Sequence, residues 1–309
     1  MLALSVRLFG KFCIRRHERI LDGLDAHKLQ ELFGYLLLYR QTPHPRESLA
    51  ALLWGESPTA QSKKYLRQVL WQLQHVLNPR TDATSEPVLR LEPDWVRLNP
   101  RADLWLDVAV FEQAFAQAQG VPSAQLEATA AQALQEAVQL YQGDLLEGWY
   151  QDWCLCERER LQNLYLAMLD KLMGYCEAHQ EYEIGLAYGA RVLRCDRASE
   201  RTHRRLMRLH YLAGDRTAAL RQYQRCIAAL EEELGVKPAK RTVALYEQIH
   251  ADQFEALPPA QTQTTLQMAT VPLPEVLDRL QQLRAILSDI QQQVQREIQV
   301  VKLALHGRR

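Results

Sequence analysis

The sequence predicts a mainly α protein in three parts: a small α+β domain, an all-α repeat domain and a C-terminal heptad helix. Three observations lead there. The first hundred residues run in the order strands, three helices, hairpin. From about Asp107 to Ile249 apolar residues recur at helical spacing, with a 34-residue internal period. Past a proline-rich stretch, apolar residues alternate at spacings of four and three.

Each element has a local cause. Leu4, Val6 and Leu8 alternate with smaller or polar residues, and Phe12 and Ile14 follow past Gly10, so residues 1–22 read as short strands. Leu29, Leu32, Phe33, Leu36 and Leu37 share one helical face, closed by Pro43. Arg46–Trp54 forms a second helix, ended by Gly55. A third runs from about Thr59 to Leu77 and stops at Asn78-Pro79. Val88–Leu91 and Trp95–Leu98 flank the turn Glu92-Pro93-Asp94 as a hairpin. On this reading residues 1–100 are one domain, 101–256 a helical domain, 257–274 a Pro/Gln/Thr linker and 275–306 a coiled-coil or docking helix.

The repeat shows when the chain is shifted by 34 residues. Leu172 then falls on Leu206, Met173 on Met207, Gly185 on Ala219 and Val192 on Cys226. That is the tetratricopeptide period, one helical hairpin per repeat, with neighbours stacked over a continuous core. Small residues at Gly185 and Ala219 allow the two helices of a hairpin to approach. Further on, Val276, Leu280, Leu283, Leu287, Ile290, Val294 and Val301 mark a heptad seam that Glu297 interrupts. Leu280, Leu283, Leu287, Ile290 and Val294 are the expected self-association surface, giving a dimer or higher oligomer; docking into the chain's own repeat groove is the other way to bury them.

Composition narrows the classes. With 309 residues, 47% hydrophobic and 24% charged, the chain has material for about two domains and is not a disordered polymer. It has no apolar run long enough to span a membrane, and its first residues alternate rather than form a signal peptide. Six dispersed cysteines fit reduced thiols and a cytoplasmic location. Lys/Arg and Asp/Glu balance at 37 each, which argues against indiscriminate coating of nucleic acid. Their distribution is uneven. Residues 1–100 carry 14 basic against 10 acidic groups, whereas 101–157 carry 1 against 9. The first segment suits an anionic partner and the second does not.

The third helix is the most informative element. Leu66, Val69, Leu70, Leu73 and Leu77 form its expected buried stripe. The opposite face presents Lys63, Lys64, Arg67, Gln68, Trp71, Gln72 and His75, with no acid. Lys and Arg bind phosphate, while Arg, Gln and His also address base edges in a major groove. Arg90 and Arg97 of the hairpin are expected beside that helix on the DNA backbone. Trp71 is expected to pack against the hairpin. A basic, amide-rich helix followed by a basic hairpin is the layout of a winged helix-turn-helix (α+β), here preceding an all-α tetratricopeptide-like domain.

Several short motifs then occur in a specific order. They are Leu8-Phe9-Gly10, Lys28 through Leu38, Leu49-Ala50-Ala51-Leu52-Leu53-Trp54, Leu66-Arg67-Gln68-Val69-Leu70, and Asp107 with Phe111-Glu112. Leu140-Tyr141-Gln142-Gly143-Asp144-Leu145-Leu146, Asp152-Trp153 and Glu157-Arg158-Glu159-Arg160-Leu161 come next. Leu206-Met207-Arg208-Leu209-His210, Gly214-Asp215-Arg216-Thr217-Ala218-Ala219-Leu220 and Glu233-Leu234-Gly235-Val236-Lys237-Pro238 complete the set. In this order the chain, from residue 2 to about 250, resembles the antibiotic-regulatory-protein (SARP-type) transcriptional activators: an OmpR/PhoB-type winged helix plus a bacterial transcriptional activator domain. The resemblance implies binding of direct repeats near promoters, recruitment of RNA polymerase and dimerisation. It assigns DNA contacts to Lys64, Arg67, Gln68, Trp71, Gln72 and His75. Family members commonly place Arg near Gln72 and Gln74, where this chain has amides. The chain opens in the first strand of the winged helix, so control by an attached phosphorylated aspartate is not expected.

Other candidates are weaker. Cys154 and Cys156, two apart on a helix, point in different directions and lack a second ligand pair. His203 and His210 share a face without a third ligand. Arg201, Arg204, Arg205, Arg208, Arg216, Arg221 and Arg225 form a basic run, read as a face paired with acids such as Glu200 and Asp215; an anionic ligand is the alternative. No phosphate-binding loop, nucleophile elbow or metalloprotease motif is present, so neither catalysis nor a cofactor or metal is expected. The rival class is a tetratricopeptide-type protein-interaction scaffold whose winged helix no longer binds DNA tightly.

Overall fold

The computed structural model describes residues 4–254 apart from positions 18, 22, 25 and 79–85. The linker at 257–274 and the heptad helix at 275–306, with its seam Leu280, Leu283, Leu287, Ile290 and Val294, lie outside the described residues.

The chain opens with β1 (Leu4–Arg7), β2 (Cys13–Arg16) and β3 (Arg19–Ile20). The alternation is realised: Leu4 and Val6 are buried, and Arg7 faces out. Three helices follow, α1 (His27–Leu38), α2 (Arg46–Trp54) and α3 (Thr59–Leu77), with β4 (His44–Pro45) between the first two. The wing consists of β5 (Leu89–Leu91) and β6 (Trp95–Leu98). It pairs in the order β4-β6-β5, and Pro45 lies on the short edge strand, where a missing N–H does no harm. A further strand, β7 (Leu104–Leu106), closes the first sheet in the order β3-β2-β1-β7. It runs parallel to β1, pairing Val6 with Leu106. No strand signal marked this segment, because three residues directly abutting a helix show no alternation to read.

The rest of the described chain is helical: α4 (Asp107–Ala118), a 3-10 turn at Ser123–Gln125, α5 (Ala128–Leu140), α6 (Asp152–Ala178), α7 (Tyr182–Cys195), α8 (Glu200–Leu212), α9 (Arg216–Leu234) and α10 (Lys240–His250). Successive helices pack as hairpins, α4 on α5, α6 on α7 and α8 on α9, and α10 closes the stack against α9. The 34-residue period superposes the end of α6 on α8, and α7 on α9. Close approach uses Gly185 and also Gly189. A Cβ on Gly185 would meet Cys176 of its own hairpin at 3.2 Å and Leu209 of the next repeat at 3.1 Å. On Gly189 it would meet Leu206 at 2.4 Å. The glycines therefore serve the contact between repeats as much as the contact within one. Asp215 caps α9 by accepting from Ala218 N–H, and Gly235 ends it at φ 64°, where a side chain would be strained.

The winged helix and the repeats as far as Leu209 share one core, and α9 and α10 build a second around Met207, Tyr223 and Ile249. Residues Leu8–Gly10 form a backbone ladder with Asp144–Glu147: Gly10 N donates to Asp144 O (2.8 Å), Leu146 N to Leu8 O (2.8 Å) and Glu147 N to Gly10 O (2.9 Å). Phe9 packs on Phe111 and Tyr141, with ring centroids at 5.0 and 4.9 Å. Arg158 donates to the carbonyls of Leu145, Leu146 and Trp149, holding that loop in place. Glu112 links Arg40 of the winged helix (2.5 Å) to Arg160 of α6 (2.6 Å). Leu8-Phe9-Gly10, Phe111-Glu112, Leu140–Leu146 and Glu157–Leu161, far apart in sequence, thus meet at one junction.

Candidate nucleic-acid interface

α2, the turn at Gly55–Pro58 and α3 form a helix-turn-helix. Ser62, Leu66, Leu70, Leu73 and Leu77 are buried along α3, while Val69 is only half-buried at the edge of that stripe. Ser62 replaces an apolar group at the first position, with its Oγ 3.1–3.2 Å from the carbonyls of Trp54, Ser57 and Pro58. That contact satisfies the turn and fixes where α3 begins.

Lys63, Lys64, Arg67, Gln68, Trp71 and His75 are all exposed on the outer face; Gln72 and Gln74 are half-buried. Lys63 is committed to Glu47 of α2 at 2.5 Å, and that hydrogen bond holds the Glu47 carboxyl below its ordinary value. Among the described residues, Lys64 and Arg67 have no ion-pair partner. Trp71 does not pack on the wing: it is 66% exposed and stacks on His75, with centroids 5.5 Å apart and planes 10° apart. The two lie four residues apart on one face, so the rings meet one above the other.

The wing arginines are partly neutralised. Arg90 and Arg97 face each other across β5 and β6, and each lies near an acid of its own hairpin, Glu86 at 3.8 Å and Glu92 at 3.5 Å. A cleft of about 670 Å³ separates the wing turn from the N-terminal half of α3, lined by Arg46, Lys63, Arg67, Asp94 and Trp95 among others. Sequence reasoning missed Arg46 and Trp95. The available signal was a tryptophan opening a strand at a hairpin tip, which is 43% exposed. Arg46 is anchored to the wing through Glu92 O, at 3.0 Å.

Outside this face the candidates are structural. Asp107 is buried and accepts from Leu8 N (2.7 Å), Phe9 N (2.9 Å) and Val108 N (2.7 Å). Burial pushes its carboxyl above the ordinary value, and the three N–H groups oppose that shift. Cys154 is buried, which raises its thiol, while Cys156 is exposed, so the pair diverges. His203 donates from Nε2 to Arg197 O (2.9 Å) and accepts at Nδ1 from Gln222 (2.8 Å); burial lowers its pKa. Three of the seven arginines of the basic run pair with acids of α6 that the sequence did not single out. Arg201 and Arg205 both reach Asp170 at 2.7 Å, and Arg208 reaches Glu177 at 2.5 Å. Arg204 pairs with Glu200 as expected, but Asp215 caps α9 instead of joining an ion pair. Among the described residues no helix is long and apolar enough to cross a membrane.

A helix-turn-helix with an acid-free outer face, a β-hairpin wing and a stack of helical hairpins behind it define a winged-helix domain joined to a helical-repeat domain. Residues 106–250 match the family model of the bacterial transcriptional activator domain. The winged helix lies ahead of the matched region. The fold is similar to that of Mycobacterium tuberculosis EmbR in its complex with a low-affinity phosphopeptide, at a TM-score of 0.61 and 19% identity. The likeness covers 82% of this chain and 66% of EmbR's, just under two thirds of that protein. No curated protein matches the chain in sequence.

Proposed function

We propose that the protein is a cytoplasmic, sequence-specific DNA-binding activator that binds direct repeats near promoters and recruits RNA polymerase. The observation that carries this reading is the outer face of α3, where Lys64 and Arg67 stand unpaired beside Gln68, Trp71, Gln72 and His75. Lys63, Arg90 and Arg97 border the same face. Binding phosphate would draw them from their exposed acids at small cost, because exposed ion pairs are worth about 0–1 kcal/mol. The exposed acids Glu127, Glu136, Asp144, Glu147 and Asp152 of the activator domain suit a basic surface of the transcription machinery. Self-association through Leu280, Leu283, Leu287, Ile290 and Val294 would match a repeated operator.

The test is titration of an enriched promoter fragment at several salt concentrations. Reversal of Lys64 and Arg67 to Glu should abolish specific binding. Neutral Lys64→Gln with Arg67→Gln should weaken it and lower the salt slope by about two, at roughly 0.9 per phosphate contact. Unchanged binding and slope would refute the reading. A second reading, a protein-interaction scaffold, draws on the intramolecular pairing of Lys63, Arg90 and Arg97. It expects those substitutions to leave every interaction of the protein intact.

A further inference from the structure

The buried stripe of α3 gives the direction of the core, and helix geometry gives the direction away from it. At about 100° per residue, Lys64, Gln68, Trp71 and His75 lie within about 40° of the direction opposite Ser62, Leu66, Leu70, Leu73 and Leu77. Arg67 and Gln72 flank that line at about 60–80°, and Lys63 lies further round still. Gln61 in the first turn shares that range, so two of the five outermost side chains are aromatic rings. They are also ordered together: the Trp71 indole stacks on the His75 imidazole at 5.5 Å, yet stays 66% exposed. Lys64, at the N-terminal end, is the cation on that line.

An indole in a major groove has one N–H to donate and no acceptor, and most of its surface is apolar. The groove floor consists of donors and acceptors with one apolar group, the C5 methyl of thymine. Only that group gives the ring a partner which does not strand a polar base atom against carbon. Gln68, about one turn earlier on the same line, has the paired donor and acceptor that match adenine N7 and N6.

Resting on the DNA-binding reading above, we propose that Trp71, held by His75, is a specificity-determining residue. It packs on thymine methyl groups, and Gln68 reads a neighbouring adenine. Each half-site then carries A·T pairs beneath the middle of α3, and the neutral Gln72 and Gln74 leave the flanks weakly discriminated.

The experiment uses the full chain. Genomic fragments captured by the protein supply the operator, and synthetic duplexes are then made with single thymines replaced by deoxyuridine, which removes only the methyl. For the wild-type protein one or two replacements per half-site should weaken binding about fourfold each, the effect of burying one methyl group. Trp71→Ala should bind thymine and deoxyuridine duplexes equally; its side chain lies outside the core, so the fold is retained. Captured DNA that wild-type protein binds equally with thymine or deoxyuridine at every position would overturn this inference and leave the DNA-binding reading standing. Capture of nothing by folded protein would overturn both.

Discussion

Removing the Asp107 carboxylate should weaken the junction on which both domains rest. The carboxylate is 2% exposed and accepts from the backbone N–H groups of Leu8 and Phe9, which are themselves 0% and 5% exposed. In Asp107→Ala neither donor has another acceptor within the ladder, and a stranded buried N–H costs about 1–3 kcal/mol. Relief of the carboxylate's own desolvation, the cause of its raised pKa, offsets part of the sum. The net loss should be about 2–4 kcal/mol, or roughly 5–15 °C in Tm for a unit of this size. Asp107→Asn keeps one acceptor oxygen and should lose about half as much. Thermal and urea unfolding followed by circular dichroism measure both variants. An Asp107→Ala protein that melts within about 2 °C of wild type would show that the Leu8–Gly10 ladder does not depend on this side chain, and the account of the junction would fall.

Gly189→Ala forces a methyl to 2.4 Å from Leu206 and should destabilise by about 1–3 kcal/mol, despite the roughly 1 kcal/mol that alanine gains in helix propensity. Gly185→Ala, with contacts of 3.1 Å and more, should be near neutral in the same urea titration. Burial lowers the pKa of His203 and His210 below 6.5, so the unfolded chain takes up those protons first. Stability should be full above about pH 6.5 and fall as pH drops through it, by at most about 1.4 kcal/mol per pH unit per histidine. His203→Gln should flatten that dependence, and an unchanged pH profile would count against it. Leu283→Asp with Leu287→Asp should reduce the oligomeric state in sedimentation; an unaltered assembly would remove the heptad from the account.

What could be read in advance followed from periodicity. The stripe of α3 and the hairpin after it both stem from local spacing and punctuation. What could not be read depends on distance in sequence. β7 finds its partner β1 across the whole winged helix, and Lys63 is neutralised by Glu47 from the preceding helix. The arginines of α8 meet Asp170 and Glu177, a repeat earlier. Composition supplies the charges but not their pairing, which is why the basic run looked available and the structure shows it largely engaged. Trp71 illustrates the same limit. Its place on the outer face was evident, but its partner, His75 and not the wing, emerged only from the rotamers.

The central claim is that the outer face of α3 reads DNA. Capture of genomic fragments at moderate salt by the purified full chain, followed by sequencing, tests it most directly when wild type and Lys64→Glu with Arg67→Glu are compared side by side. The account expects wild type to recover a few sites sharing a short direct repeat and the variant, folded to the same melting temperature, to recover none. Equal recovery by both proteins, or no enrichment by either, would contradict it.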